Sequence, residues 1–213
     1  MKIIYTFCCL AFCITNINAQ VSFSQSQLET AVSYTFYKSQ LQQNAYGGRF
    51  KLLVPVAEKV HIGIGYSFSN PMKFETNTLL SPIGLAPSTT TYKFSGLHLN
   101  ANFYLQKPTS KHFQFYLPVG VTYQMVEFEE QLKQLPPNGF TPINMTPQTN
   151  ETGWLVNFGP GIAYSYNKIQ LFTEAQICFP ISDSEYGEVK KVIPLQFGLF
   201  AGLRFSLKSA PKK

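Results

Sequence analysis

One pattern recurs eight times along the chain, and it constrains the fold more than any other feature. In VHIGIGYSF, residues 60–68, the bulky apolar residues Val60, Ile62, Ile64, Tyr66 and Phe68 fall on one side. His61, Gly63, Gly65 and Ser67 fall on the other. Successive side chains of a strand point to opposite faces, so this alternation predicts a ribbon with one greasy face and one small polar face. The same period appears near residues 28–37, with Val32, Tyr34 and Phe36 together, and in GRFKLLVPV, LHLNANFYL, FQFYLPVGVTYQM, WLVNFGPGIAYSY, IQLFTEAQICF and LQFGLFAGLRF. No segment carries a convincing helical period.

The connections alternate as strictly as the side chains. Strands two and three are joined by AEK, four and five by QKPTSK, six and seven by NK. The intervening links are longer: SQLQQNAYG, NPMKFETNTLLSPIGLAPSTT, FEEQLKQLPPNGFTPINMTPQTNET and SDSEYGEVKK. In an up-and-down meander every short turn then lies at one end and every long loop at the other, with both termini at the short-turn end. Membrane barrels of the outer-membrane type have this asymmetry.

Two closed barrels fit eight antiparallel strands. A soluble, lipocalin-like barrel is apolar inside and charged outside, and a transmembrane barrel reverses the faces. The non-greasy face here is Gly, Ser, Asn, Thr and Gln. Charged residues are only 13% of the chain, against about 25% in soluble proteins, too few for a water-facing surface. Small polar residues suit the narrow interior of an eight-stranded barrel. The expected fold class is therefore all-β: an eight-stranded antiparallel up-and-down transmembrane β-barrel. Ile62 and Ile64 face lipid, and Gly63 and Gly65 face the lumen. Two aromatic girdles mark the lipid–water boundaries: Phe103, Phe113, Tyr164 and Phe205 toward the short turns, and Tyr34, Tyr66, Tyr123 and Trp154 toward the long loops.

The first nineteen residues read as a secretory signal peptide, with basic Lys2, an apolar run to Ile14 and small Ala19 before Gln20. That run is shorter than the ~20 residues of a spanning helix. Residues 20–213 form the barrel domain. Cleavage leaves 194 of the 213 residues and lowers the formal charge from +6 to +5. The basic residues are scattered, which excludes a nucleic-acid footprint. Three of the four cysteines leave with the signal, and Cys178 alone builds neither a disulfide nor a metal site.

With these features the chain resembles the small outer-membrane β-barrel proteins of Gram-negative bacteria, the porin-like or OmpA/OmpX/OmpW-type barrel domain. The resemblance covers nearly all of the mature chain. In that family the last strand ends in an aromatic that the barrel-insertion machinery reads. Phe205 matches that role, and SLKSAPKK follows it. The resemblance implies residence in the outer membrane, with periplasmic termini, extracellular long loops, and outer-membrane lipids and the insertion machinery as partners. The fold hosts many functions, so it does not name one.

The candidate chemistry lies in the lumen. Arg49, Lys51, His61, His98, Glu174 and Arg204 fall on the polar faces, with Asn100 and Gln176. Charges in a narrow lumen need partners, so Glu174 is expected to take Arg204, Arg49 or Lys51, in a network that plugs the barrel or, as the alternative, gates it. The mature histidines His61, His98 and His112 show no spacing with Ser and an acid that marks a hydrolase. The reading is non-enzymatic, without metal or cofactor: an envelope structural or surface-interaction protein whose external loops can meet a protein partner. A small-solute or hydrophobic-molecule channel, and an accessory subunit of a secretion or assembly machine, are the alternatives.

Overall fold

A computed structural model describes residues 26–38, 44–80, 84–107, 113–132, 149–181 and 195–207. The signal segment 1–19 and His112 lie outside the described residues. Ten strands are assigned: β1 Gln27–Lys38, β2 Asn44–Ala57, β3 Val60–Ser69, β4 Met72–Leu80, β5 Gly84–Tyr104, β6 Phe113–Leu132, β7 Thr149–Phe158, β8 Gly161–Tyr166, β9 Ile169–Pro180 and β10 Leu195–Ser206. All pairings are antiparallel.

Ten strands occupy eight positions in a closed ring. β3 and β4 are one position, interrupted at Asn70–Pro71, because both pair with β5. β7 and β8 are another, interrupted at Gly159–Pro160, because both pair with β6 and β9. Proline lacks the N–H that a ladder needs, so each break falls where the sequence removes a donor. The ring closes where β1 pairs with β10, from Gln27–Ser206 to Lys38–Leu195. Closure leaves no edge in the ring, which a sheet in lipid requires.

The break at Asn70–Pro71 also shifts register. Phe68 faces Ser95, whereas Met72 faces Tyr92. One extra residue sits on the β3–β4 side, as in a β-bulge. The Phe94 N–H donates to the Ser69 hydroxyl at 3.1 Å, filling a gap in the ladder. Beyond the bulge the inward positions become Met72 and Phe74, both buried.

Residues 70–90 differ from expectation. The sequence pattern makes them a long loop, but β4 and the first part of β5 form an extended hairpin, and β6 continues beside it to Leu132. This three-stranded blade stands beyond the ring. One face carries Phe74, Tyr92 and Phe128 in ring contact. The other carries exposed Lys73, Lys93, Glu127 and Glu129. A strand in water needs no apolar outer face, so the alternation that identified the other strands is muted here. The far edge of β4 is unpaired among the described residues.

The short turns are tight. Glu58–Lys59 joins β2 to β3, and Asn167–Lys168 joins β8 to β9. Asn167 has φ of 56°, a left-handed conformation that Asn tolerates and hairpin turns demand.

The outer face is apolar over a defined height. Val32 is 70% exposed, Ile64 62% and Phe113 60%, a pattern that water would penalise along every strand. On β6 the outward run from Phe113 to Tyr123 covers ten residue steps, about 34 Å along the strand. A tilt of roughly 40° reduces this to about 26 Å, against an apolar band of about 25 Å in outer-membrane barrels. Glu127 and Glu129 follow on the same face, and Lys93 on β5. The outer surface thus turns from hydrocarbon-like to charged within one rung pair.

Candidate functional site in the barrel lumen

The strand parity that turns Val32 and Tyr34 outward turns Glu29 inward. On neighbouring strands, Lys51, Glu29, Arg204, Gln170 and Ser165 share one rung across β2, β1, β10, β9 and β8. Arg49 lies two residues along β2 from Lys51, and Glu174 lies on β9. Arg49, Arg204 and Glu29 are 0% exposed and Glu174 2%.

These four form a closed lattice. Arg49 Nη2 lies 2.8 Å from Glu29 Oε1 and 2.6 Å from Glu174 Oε2. Arg204 Nε lies 2.8 Å from Glu29 Oε2, and its Nη2 lies 2.9 Å from Glu174 Oε1. Each carboxylate therefore holds both guanidiniums. Arg204 also donates to Gln170 Oε1 at 3.0 Å and to the Tyr104 and Tyr116 hydroxyls at 3.2 and 2.8 Å. Tyr116 donates to Glu174 at 2.9 Å, and Gln176 donates to Glu174 at 2.8 Å. Such charge-assisted bonds are short and directional.

Aromatic rings pack the lattice. The Arg49 guanidinium sits 4.0 Å from the Phe200 centroid, and that of Arg204 sits 4.3 Å from Phe172 and 4.6 Å from Tyr116. With Ala31, Tyr104 and Ala163 these rings form one buried cluster. Planar guanidinium can stack and chelate at once, which ammonium cannot. Two glycines make room. A Cβ on Gly65 would collide with the Lys51 side chain opposite it, and a Cβ on Gly161 would collide with the Tyr116 ring.

The remaining candidates lie around this centre. Lys51 is buried, with its Nζ 3.9 Å from Glu29 Oε1. His98 lies between two hydroxyls, with Nε2 2.6 Å from Ser67 Oγ and Nδ1 2.8 Å from Thr122 Oγ1. The third group of that chain is a hydroxyl, not the carboxylate that orients a catalytic imidazole. His61 is buried against Tyr104, ring centroids 4.8 Å apart, and the Tyr104 hydroxyl in turn accepts from Arg204. Asn100 donates to Asn102 at 2.9 Å. Among the described residues no group of three His, Cys, Asp or Glu is placed to hold a metal.

Sequence reading puts Gln170 on a polar strand face but missed Glu29, Tyr116 and the stacked rings Phe172 and Phe200. It also missed an apolar cluster at the long-loop level: Tyr37, Ala45, Met72, Phe74, Phe94, Val126 and Leu155. Tyr37 and Phe94 stack there at 4.5 Å. Of the eight expected boundary aromatics, Tyr66, Phe113, Trp154, Tyr164 and Phe205 are exposed, and Tyr34, Phe103 and Tyr123 are half-buried. Phe113 meets Tyr164 at 5.0 Å, Tyr123 meets Trp154 at 5.1 Å, and Tyr34 meets Tyr46 at 4.9 Å. On the outer face an apolar groove of about 650 Å³ runs past Tyr34, Tyr46, Phe115, Pro160, Ala175 and Ala201.

A closed antiparallel ring of eight positions is the fold of the small outer-membrane β-barrel proteins. Three solved structures share that fold. The chain is similar to Neisserial surface protein A, with a TM-score of 0.53 at 12% identity over 84% of this chain and 94% of that one. It is similar to a major outer membrane protein from Thermus thermophilus, with a TM-score of 0.54 at 11% identity over 84% and 98%. It is also similar to the outer membrane protein OprG from Pseudomonas aeruginosa, with a TM-score of 0.53 at 13% identity over 85% and 95%. No family model matches the chain, and no curated protein matches it in sequence.

Proposed function

We propose that this protein is a non-enzymatic barrel of the outer membrane, closed to solutes, that anchors in the envelope and presents its long-loop end outward. The observation that carries this reading is the lattice of Glu29, Arg49, Glu174 and Arg204, which spans the lumen with no exposed guanidinium. Eight-stranded barrels are narrow enough for side chains to fill them, and paired charges that also stack are an effective filling. In this reading residues 1–19 direct export and are removed. The termini and short turns are periplasmic, and the blade of β4, β5 and β6 stands outside the cell. Its charged face is the part that could meet a partner. Lipid covers the apolar band.

The test has two arms. Envelope fractions from a Gram-negative host expressing the chain should yield an outer-membrane band whose gel mobility changes on boiling. The purified barrel in planar bilayers should be silent. A soluble periplasmic product would overturn the membrane reading. Steady single-channel conductance would overturn the closed lumen and favour transport of small solutes.

A further inference from the structure

Charge is divided along the barrel axis. Among the described residues the short-turn end carries Lys59, Lys107 and Lys168 against Glu58. The long-loop end carries Glu75, Glu127, Glu129, Glu130 and Glu151 against Lys38, Lys73 and Lys93. One end is therefore net positive and the other net negative. The sequence continues the bias: Lys111 lies in the same link as Lys107, and Lys208, Lys212 and Lys213 follow β10 with no acid among them. Charge scattered for solubility does not sort by end, whereas attraction to an anionic layer at one end does sort it.

The short-turn lysines also stand at a defined depth, and all three are exposed. Lys59 adjoins Val60, the first residue of β3. Lys107 is two residues past exposed Leu105, and Lys168 lies between exposed Tyr166 and exposed Ile169. At about 3.4 Å per residue, each lysine backbone is within about 7 Å of the last lipid-facing side chain. The headgroup layer on each side of a bilayer is about 5–8 Å thick. A lysine lays its stem along apolar surface and puts its ammonium into that layer. A polymer beyond the headgroups lies one layer further out. Lys107 Nζ is paired with Glu58 Oε2 at 2.7 Å. Lys59 Nζ donates to the Leu105 carbonyl at 3.2 Å, which uses one of an ammonium's three donors. The surplus positive charge thus rests on Lys59 and Lys168.

We propose that the short-turn end docks on anionic phospholipid headgroups of the leaflet it faces, with the ammonium groups of Lys59 and Lys168 on phosphate oxygens. In the orientation proposed above, on which this inference rests, that leaflet is the periplasmic one. The contact holds the short turns at headgroup depth, while the acidic long-loop end is repelled from anionic lipid.

The experiment uses the full barrel reconstituted in phosphatidylcholine bilayers with a trace of spin-labelled lipid, whose spectrum separates lipid held at the protein surface from free lipid. At low salt, labelled phosphatidylglycerol should be preferred over labelled phosphatidylcholine at that surface by about twofold or more. Salt at about 1 M, where screening shortens to about 3 Å, should bring the two close to parity. Lys59→Gln combined with Lys168→Gln should lose most of the preference. Lys73→Gln combined with Lys93→Gln removes as much charge from the other end and should keep it. Equal occupancy by the two lipids in the parent, or a full preference in the Lys59 and Lys168 variant, would overturn the docking surface. Co-sedimentation with purified peptidoglycan in place of any lipid preference would overturn it too, and make the wall polymer the partner. A separate arm tests the orientation. Lys168→Cys in a Cys178→Ser background should resist a membrane-impermeant maleimide in intact cells and react once the envelope is ruptured. Labelling of intact cells would overturn the periplasmic leaflet without touching the lipid preference, so the two failures are distinguishable.

Discussion

Midway along the lumen, two arginines lie against two carboxylates and three aromatic rings. Toward the long-loop end, Tyr37, Phe94, Val126 and Leu155 close the same lumen with no charge among them. Both levels are buried, yet they hold the bore by different physics. The ionic level is directional: its donors meet carboxylates at fixed distances, and each carboxylate serves both arginines. The apolar level needs only volume and contact. The first fixes how β1, β2, β9 and β10 sit relative to one another, and the second adapts to what the bulge at Asn70–Pro71 delivers.

Glu174→Gln breaks that contrast at its most sensitive point. The substitution keeps shape but removes the charge that meets Arg49 and Arg204, leaving each buried guanidinium with one carboxylate, Glu29. Removing one member of a buried pair costs about 3–5 kcal/mol. Urea unfolding of the refolded barrel should show that loss, and bilayers should show conductance that the parent lacks. A variant as stable and silent as the parent would mean the apolar level alone seals the lumen.

Leu155→Ala probes the other level. The side chain is 1% exposed, and its truncation should cost about 2–5 kcal/mol through lost contact and a residual cavity. Leu155→Met conserves volume and should cost less than about 1.5 kcal/mol. The sharper comparison is the spread between them. An apolar seal tolerates the conservative change, whereas the ionic level tolerates none as mild as Glu→Gln. Matched losses for Leu155→Met and Leu155→Ala in the same urea titration would erase the distinction.

Legibility in the sequence follows the same division. Lipid forces one strand face to be uniformly apolar, and a uniform face is what period-two reading detects, so the ring was readable. Parity alone turned Arg49, Lys51, Glu174 and Arg204 inward. The same parity reaches Glu29 from Val32 and Tyr34, but Glu29 stands near the start of its strand, where a lone acid reads as exposed. Leu155, Phe172 and Phe200 were hidden because the inward face was expected to be polar. Nothing local in a sequence announces that a phenylalanine stacks on an arginine from another strand. Residues 70–90 read as a loop because their strands stand in water and carry Pro, Asn and Thr without an apolar stripe.

The smallest expected effect comes from a pair that looks, by distance alone, like those in the lumen. Lys107 Nζ lies 2.7 Å from Glu58 Oε2 at the short-turn end, as close as Arg49 and Glu174. The two side chains are 61% and 70% exposed. Water screens them, and holding two long side chains together costs entropy, so exposed pairs contribute about 0–1 kcal/mol. Glu58→Ala should leave the unfolding midpoint and the silent bilayer trace within error of the parent, and raising salt should not separate the two proteins. A loss comparable with that of Glu174→Gln would mean the short turns, not the lumen, carry the ionic contribution to stability. Equal distance with unequal consequence would instead show that burial, and the absence of any alternative partner, gives the lumenal lattice its hold on the barrel.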